Sequence, residues 1–556
     1  MKKIQYYILA LVAAMTFTMS SCSDKYMEEL NTDPTKTNSI DPNAQLTTAV
    51  LQTYGDLGMM ETYRSYLFAF TQHFMGCWNT TNYGGHHNPD NNEMMRIWTS
   101  LYPNAIKNLT DGISRTTDDE SSANINAVLR IYRAYMISLI TDIYGDAPCK
   151  EAGLGYIDSK FTPVFDKQED IYTYIFEELK AAVDQLNPAG DNVTGDLIYN
   201  GNIDSWKRFA NSLRLRYAMR VSNVNPDLAQ AQFEDALNSD GGVFSSAADD
   251  ATIKYMDVAF SFGQDAYSDY RGNALSQLWF GNDPANNPTY ICSTFYSQMQ
   301  ETGDPRMLRI CRYYWDGYMS MTAPTDRVDL TDEIMSKGVK VNPVVPGAYW
   351  WEPWPEGYTS DLIAEIAKRD PSVNPYLEKE TRPKLANNFL KGDNPGIVIT
   401  FAEVNFLLAE AIVKGWNVGG NAEDFYKNGV REAMNVLADK YGCSYVSDDE
   451  FNAYIANNGI GHSQIENIKN INTQAWILHF TNPVEAWSNV RRSGFPVLNS
   501  PDYYGYGSVL VDGKEIPRRL CYPVLESSYN KKSYDEAVAR MGGNDFHKRV
   551  WWDINK

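Results

Sequence analysis

The sequence predicts an all-α protein in which stacked helical hairpins support a loop-rich, irregular part. Two observations lead there. Long segments toward both ends of the chain repeat apolar residues every three or four positions, the period of a helix with a buried face, and short Pro/Gly/Asn turns separate them. Between about residues 240 and 395 that period fades, and Gly, Pro, Asn and Asp become frequent with Trp and Tyr dense among them, as in YWWEPWPEGY at 349–358.

In chain order, residues 1–21 come first. They begin Met1-Lys2-Lys3 and run apolar from Ile4 to Phe17, a cationic start and a short apolar core that read as an export signal. Met19-Ser20-Ser21-Cys22 then resembles a bacterial lipobox, with Met19 where Leu is more usual. The resemblance implies that Cys22 carries a diacyl or triacyl lipid and becomes the first residue of the mature chain. Residues 22–45 are polar, hold Pro34 and Pro42, and read as a tether. Asp24, Glu28 and Glu29 in it resemble the acidic signals that send some lipoproteins to the cell surface. Residues 46–556 are expected to form one domain.

The helices follow. In NAVLRIYRAYMISLITDIYGDAP, Val128, Tyr132, Tyr135, Leu139 and Ile143 make one stripe that stops at Gly145 and Pro148. The next helix opens on a candidate capping box, Asp166 with Glu169, carries Ile171, Ile175, Leu179, Val183 and Leu186, and ends before Pro188. A third has Asp204 as its predicted N-cap and turns Trp206, Phe209, Leu213 and Tyr217 inward. Toward the C-terminus, Thr400 and Glu403 are expected to box the start of a helix that stops at Gly415. Another is predicted from about Ala422 to Tyr441, and Ser447 with Glu450 to cap a third. Such a succession suggests hairpins of the tetratricopeptide kind, although no strict 34-residue repeat is visible.

Composition narrows the function. Asp and Glu number 70 against 49 Lys and Arg, a formal charge of −21, and such a field repels nucleic acid. Beyond Cys22, the cysteines at 77, 149, 292, 311, 443 and 521 show no C-x-x-C pair or metal-finger spacing; they read as small buried hydrophobes. The signatures of zinc proteases, α/β-hydrolases, P-loops and Rossmann folds are missing, and no cofactor motif replaces them. His73, His86 and His87 form the one histidine cluster, and the adjacent pair on its Gly/Asn-rich stretch reads as exposed side chains rather than metal ligands. The acidic turn DNVTGD at 191–196 lacks the EF-hand register, so a structural calcium is not indicated.

Aromatic recognition remains. Trp and Tyr rings pack on the C–H faces of sugars, while Asn, Asp and Arg answer the hydroxyls. FMGCWNTTNYGG at 74–85, read as a loop, offers Trp78 with Asn79, Asn82 and Tyr83. Further candidate contacts are Asp41, Asn43, Tyr290, Cys292, Trp315, Trp350 and Arg369.

Several segments together resemble the SusD/RagB-like nutrient-binding outer-membrane lipoproteins of Bacteroidetes. They are the lipobox, LNTDPTKTNSIDPNAQL, IWTSLYPNAIKNL at 97–109, YRAYMISLITDIYGDAPCKEA at 132–152, ITFAEVNFLLAEAIVKG at 399–415, PVEAWSNVRRSGFPVL at 483–498 and RRLCYPVLESSYN at 518–530. The resemblance implies a non-catalytic, surface-exposed binder, lipid-anchored in the outer membrane, that captures oligo- or polysaccharide as the lid of a SusC-like TonB-dependent barrel. Capture of peptide, as in RagB-type members, is the alternative, and a surface glycosidase a remoter one. Trp78 matches the place where such proteins put a stacking aromatic; WSNVRRSGFP and YGDAP read as structural.

Overall fold

The computed structural model describes residues 40–258, 269–281, 289–315, 324–338, 341–350, 382–461, 463–498 and 515–554. The chain divides into a short unit ending at Asp41 and a large one, Pro42–Lys556. Helix α1 spans Pro42–Gly55, so the last four residues of the stretch read as a tether are helical. The proline ring suits a first turn, where the missing N–H has no intrahelical partner in any case.

The scaffold is a series of helices packed in successive pairs. α2 (Asn91–Ser100) leads to α3 (Lys107–Thr116), which packs on α4 (Ala123–Tyr144); α4 packs on α5 (Gln168–Gln185), α5 on α6 (Ile203–Val221), and α6 on α7 (Pro226–Asn238). The pattern resumes with α8 (Phe401–Val413) on α9 (Ala422–Tyr441), followed by α10 (Asp448–Asn457), α11 (Gln464–Leu478) and α12 (Pro483–Ser493). This is the all-α, tetratricopeptide-like arrangement that the apolar periods predict. Every inward residue expected on α4, α5 and α6 is buried. Gly145 ends α4 with φ +91°, a conformation open to glycine and costly for other residues.

The caps divide. Ser447 and Glu450 form the expected box, and Thr400 accepts from the Glu403 N–H at 3.3 Å. Glu403 does not reciprocate, because Arg216 claims both of its oxygens at 2.6 Å. Asp166 is not a cap either: it accepts from the N–H groups of Cys149 and Lys150 at 3.0 Å, and Asp146 receives the Gln168 N–H at 2.9 Å. Asn202, not Asp204, caps α6. The acids of the 191–196 turn are also taken by protein donors. Asp191 accepts from Asn124 and Ile125 at the start of α4, and Asp196 from Ile198, Gly201 and the Trp206 indole.

Charged side chains are neutralised inside the helical body. The buried Arg216 also lies 3.5 Å from Glu485, Arg220 bonds Glu485 at 2.6 Å, His479 reaches Glu403 at 3.0 Å, and Arg492 grips Glu410 with two bonds of 2.6 and 2.8 Å. Isolated, any of these charges would carry a large desolvation cost. Arg491 stacks over the Trp487 ring at 3.6 Å and donates to the carbonyls of Asp142 and Arg518 at 2.7 Å. The WSNVRRSGFP segment is therefore structural, as expected. The C-terminal residues close over the same place: the Leu520 N–H bonds Ile143, the Trp552 indole bonds the Asp142 carboxylate at 2.9 Å, and Arg518 pairs with Asp553.

The irregular part contributes short strands. β1 (Phe74–Met75), β2 (Tyr290–Ile291), β3 (Cys311–Arg312) and β6 (Lys384–Leu385) form an antiparallel sheet in the order β1-β2-β6-β3, and β4 (Tyr314–Trp315) pairs with β5 (Val328–Asp329). Cys77, Cys149, Cys292, Cys311 and Cys521 are buried, Cys443 is half-buried, and none of the six is in a disulfide.

Candidate functional site

Residues 74–85 are not the loop that the sequence suggests. β1 runs into a helical turn at Trp78, and Thr80–Gly85 is π-helical. The wider winding brings positions five apart onto one side, so Trp78 meets Tyr83 edge-on at a centroid distance of 5.6 Å. Tyr83 in turn leans on Tyr66 at 5.9 Å. Trp78 is 44% exposed, whereas Asn79, Asn82 and Tyr83 are half-buried. The segment presents one indole to solvent, with an aromatic support beside it and two amides within a turn.

What holds it in place is close packing. A Cβ on Gly84 would sit 2.7 Å from the Ala69 Cβ and 2.8 Å from the Ser65 carbonyl, so a glycine lets the π-turn lie directly on the preceding helix. A second brace comes from far along the chain. The Thr81 hydroxyl donates to the Ala348 carbonyl at 3.0 Å, His86 Nε2 lies 2.8 Å from the Gly347 carbonyl, and the Trp350 N–H donates to Gly76 at 3.1 Å. The His86 ring meets Tyr349 edge-on at 5.3 Å. The expected exposure of the histidines is thus overturned. His86 and His87 are both buried, and burial, with His547 and His86 beside it, pulls His87 down to about 3. Among the described residues no group of three or more His, Cys, Asp or Glu could hold a metal ion.

The remaining candidates separate. Trp350 is half-buried and packs on a small apolar cluster of Ala69, Met75, Tyr290, Cys292, Val344 and Ala348 directly behind Gly76. Tyr290 and Cys292 are wholly buried there, and burial pushes the Cys292 thiol up to about 11. They form the floor of the platform and are not available as ligand contacts, which corrects the sequence reading. Gly76 makes their approach feasible, since a Cβ would lie 3.0 Å from the Tyr290 ring. Asn43 accepts the Thr194 N–H at 2.8 Å and fastens that loop to α1. Asp41 is exposed and belongs to the short N-terminal unit. Trp315 lies on β4, with its side chain outside the described residues, and Arg369 falls outside them altogether. The 344–350 brace escaped the sequence reading because its contacts span more than 260 positions and leave no local period.

Among the described residues, this helical fold carries one exposed tryptophan, Trp78, on its braced irregular face. The chain belongs to the SusD-like family, described as starch-binding and associating with the outer membrane, whose model matches residues 34–523. Among solved structures, a SusD-like protein of Bacteroidetes AC2a is 48% identical with a TM-score of 0.87, over 93% of this chain and 100% of that one. A chitin-binding protein is 32% identical with a TM-score of 0.75 over the same shares. A SusD homologue from Bacteroides uniformis, at 23% identity and a TM-score of 0.71, covers 93% of this chain and 100% of its own, and shares the fold. No curated protein matches the chain at a significant level.

Proposed function

We propose that the protein is a cell-surface lipoprotein, anchored through Cys22, that captures oligo- or polysaccharide and hands it to a SusC-like TonB-dependent barrel as its lid. It performs no catalysis; binding and release are its whole chemistry. The observation that carries the reading is the Trp78 indole, exposed on a segment whose other residues are buried or half-buried and which is braced from two directions. An apolar ring held at the surface at the expense of solvation is what a sugar face requires, and Asn79 and Asn82 supply amides for its hydroxyls. Membership of a family described as starch-binding, and likeness to a chitin-binding protein, support a neutral glycan as ligand.

Calorimetric titration with starch- and chitin-derived oligosaccharides tests this. Trp78→Ala is expected to weaken binding by about 1–2 kcal/mol, roughly 5- to 30-fold, from lost ring burial. Unchanged affinity in that variant removes the platform from the site. Failure of every glycan, with oligopeptide found in the purified protein by mass spectrometry, transfers the assignment to peptide capture.

A further inference from the structure

A cleft of about 390 Å³ opens between the strand pair β4–β5 and the C-terminal end of α9, and no residue of the Trp78 segment or its brace lines it. Three guanidinium groups face it: Arg309, Arg312 and Arg327. Arg309 is fixed by donation to the Ser444 and Tyr445 carbonyls at 2.8 and 2.7 Å and by Glu450 at 3.1 Å. Arg312 pairs with Asp329 at 2.9 Å while 31% of its side chain stays exposed. Arg327 lies over the Tyr314 ring at 3.9 Å and donates to Asn387 Oδ1 at 3.0 Å. Lys384 approaches from behind, its ammonium donating to the Tyr314 carbonyl at 2.8 Å.

The charge balance is reversed from that of the chain. Among the described residues that line the cleft, Arg309, Arg312 and Arg327 stand against Asp329, three cations to one anion, in a protein with 70 acidic and 49 basic residues. A concave site focuses such a local field even where the net charge is opposite. Guanidinium forks receive the paired oxygens of a carboxylate or sulfate, and the volume lies within the roughly 300–1,000 Å³ of small-molecule sites.

We propose that this cleft is a second saccharide subsite that takes an anionic sugar, its carboxylate or sulfate oxygens bound by Arg312 and Arg327. The saccharide class rests on the glycan-capture reading above; the site itself shares no residue with the Trp78 platform, so the two fail separately. An arriving anion replaces Asp329 on Arg312, a carboxylate that is itself partly exposed and readily rehydrated.

The test is calorimetry on the full chain in detergent with three probes: trigalacturonate, a sulfated chondroitin disaccharide and neutral maltotriose. At least one anionic probe is expected to bind, roughly tenfold more weakly in Arg327→Gln and in Arg312→Gln, equally well in Trp78→Ala, and less tightly in about 0.3 M salt. The uronate and sulfate arms identify the anion. Maltotriose reports on the Trp78 platform alone. Absence of binding by both anionic probes overturns the proposal, as does binding as tight in both arginine variants as in the unaltered chain. Should Arg327→Gln fail to fold, the partly exposed Arg312→Gln decides the matter.

Discussion

At the scale of single residues, burial decides chemistry that residue type alone leaves open. His73 stacks on Trp476 at 4.7 Å, and its ring nitrogens lie 2.9 Å from the Thr71 hydroxyl and 3.0 Å from the Trp476 carbonyl. Burial drives it down to about 3, so it stays neutral in the folded chain while the unfolded chain takes up a proton near the ordinary value of 6.5. The stability it contributes is therefore complete above pH 6.5 and is lost as pH falls from there toward 3, at about 1.4 kcal/mol per pH unit. Urea midpoints at a series of pH values should show a shallower acid loss in His73→Gln; equal slopes would show that His73 is not the proton-linked group. Tyr290 and Cys292 teach the same lesson for the site. The exposure of Trp78 was legible because its sequence neighbours are polar and small. The burial of the other two is set by Met75, Val344 and Ala348, from distant parts of the chain, and no neighbour in sequence announces it.

At the scale of elements, helices were legible where an apolar face recurred over three or more turns, as in α4, α5, α6 and α9. Their first residues were less so. An acid near a helix start has several donors to choose from, and Asp166 found the N–H groups of Cys149 and Lys150 before it could serve α5. The Thr80–Gly85 turn was missed for a related reason: a π-turn follows neither the helix nor the strand period. The C-terminal segment supplies the element-scale prediction. Trp552 is fully buried, bonds Asp142, and has the Arg220 guanidinium 5.5 Å from its ring centroid. Trp552→Ala should cost about 3–5 kcal/mol in denaturant unfolding, since it opens a large cavity and strips a partner from a buried acid. A loss below about 1 kcal/mol would mean that the segment is not part of the core.

At the scale of the whole molecule, fold class and family were legible, because many weak segments fall in one order along the chain. The cationic cleft was not, since Arg312, Arg327 and Asn387 meet only through strand pairing. The proposed anchor at Cys22 belongs to the whole-molecule scale too. Cleavage before Cys22 would remove Lys2 and Lys3 and no acid, taking the formal charge from −21 to −23. A protein so acidic has little electrostatic attraction to an anionic membrane, and two or more acyl chains on Cys22 would have to supply the attachment. Cys22→Ala should abolish incorporation of radiolabelled palmitate and release the protein from the outer-membrane fraction; retention of both label and location would place the anchor elsewhere.

The closure of the C-terminal residues over α4 also governs when the molecule can fold. Asp142 and Trp552 lie 410 positions apart, and a contact of that span forms only after a long loop has been closed. Synthesis runs from the amino end, so α4 is finished long before the indole that covers its buried carboxylate has been made. Until Trp552 has been made, the Asp142 carboxylate lacks the indole donor that helps to satisfy it in the folded protein.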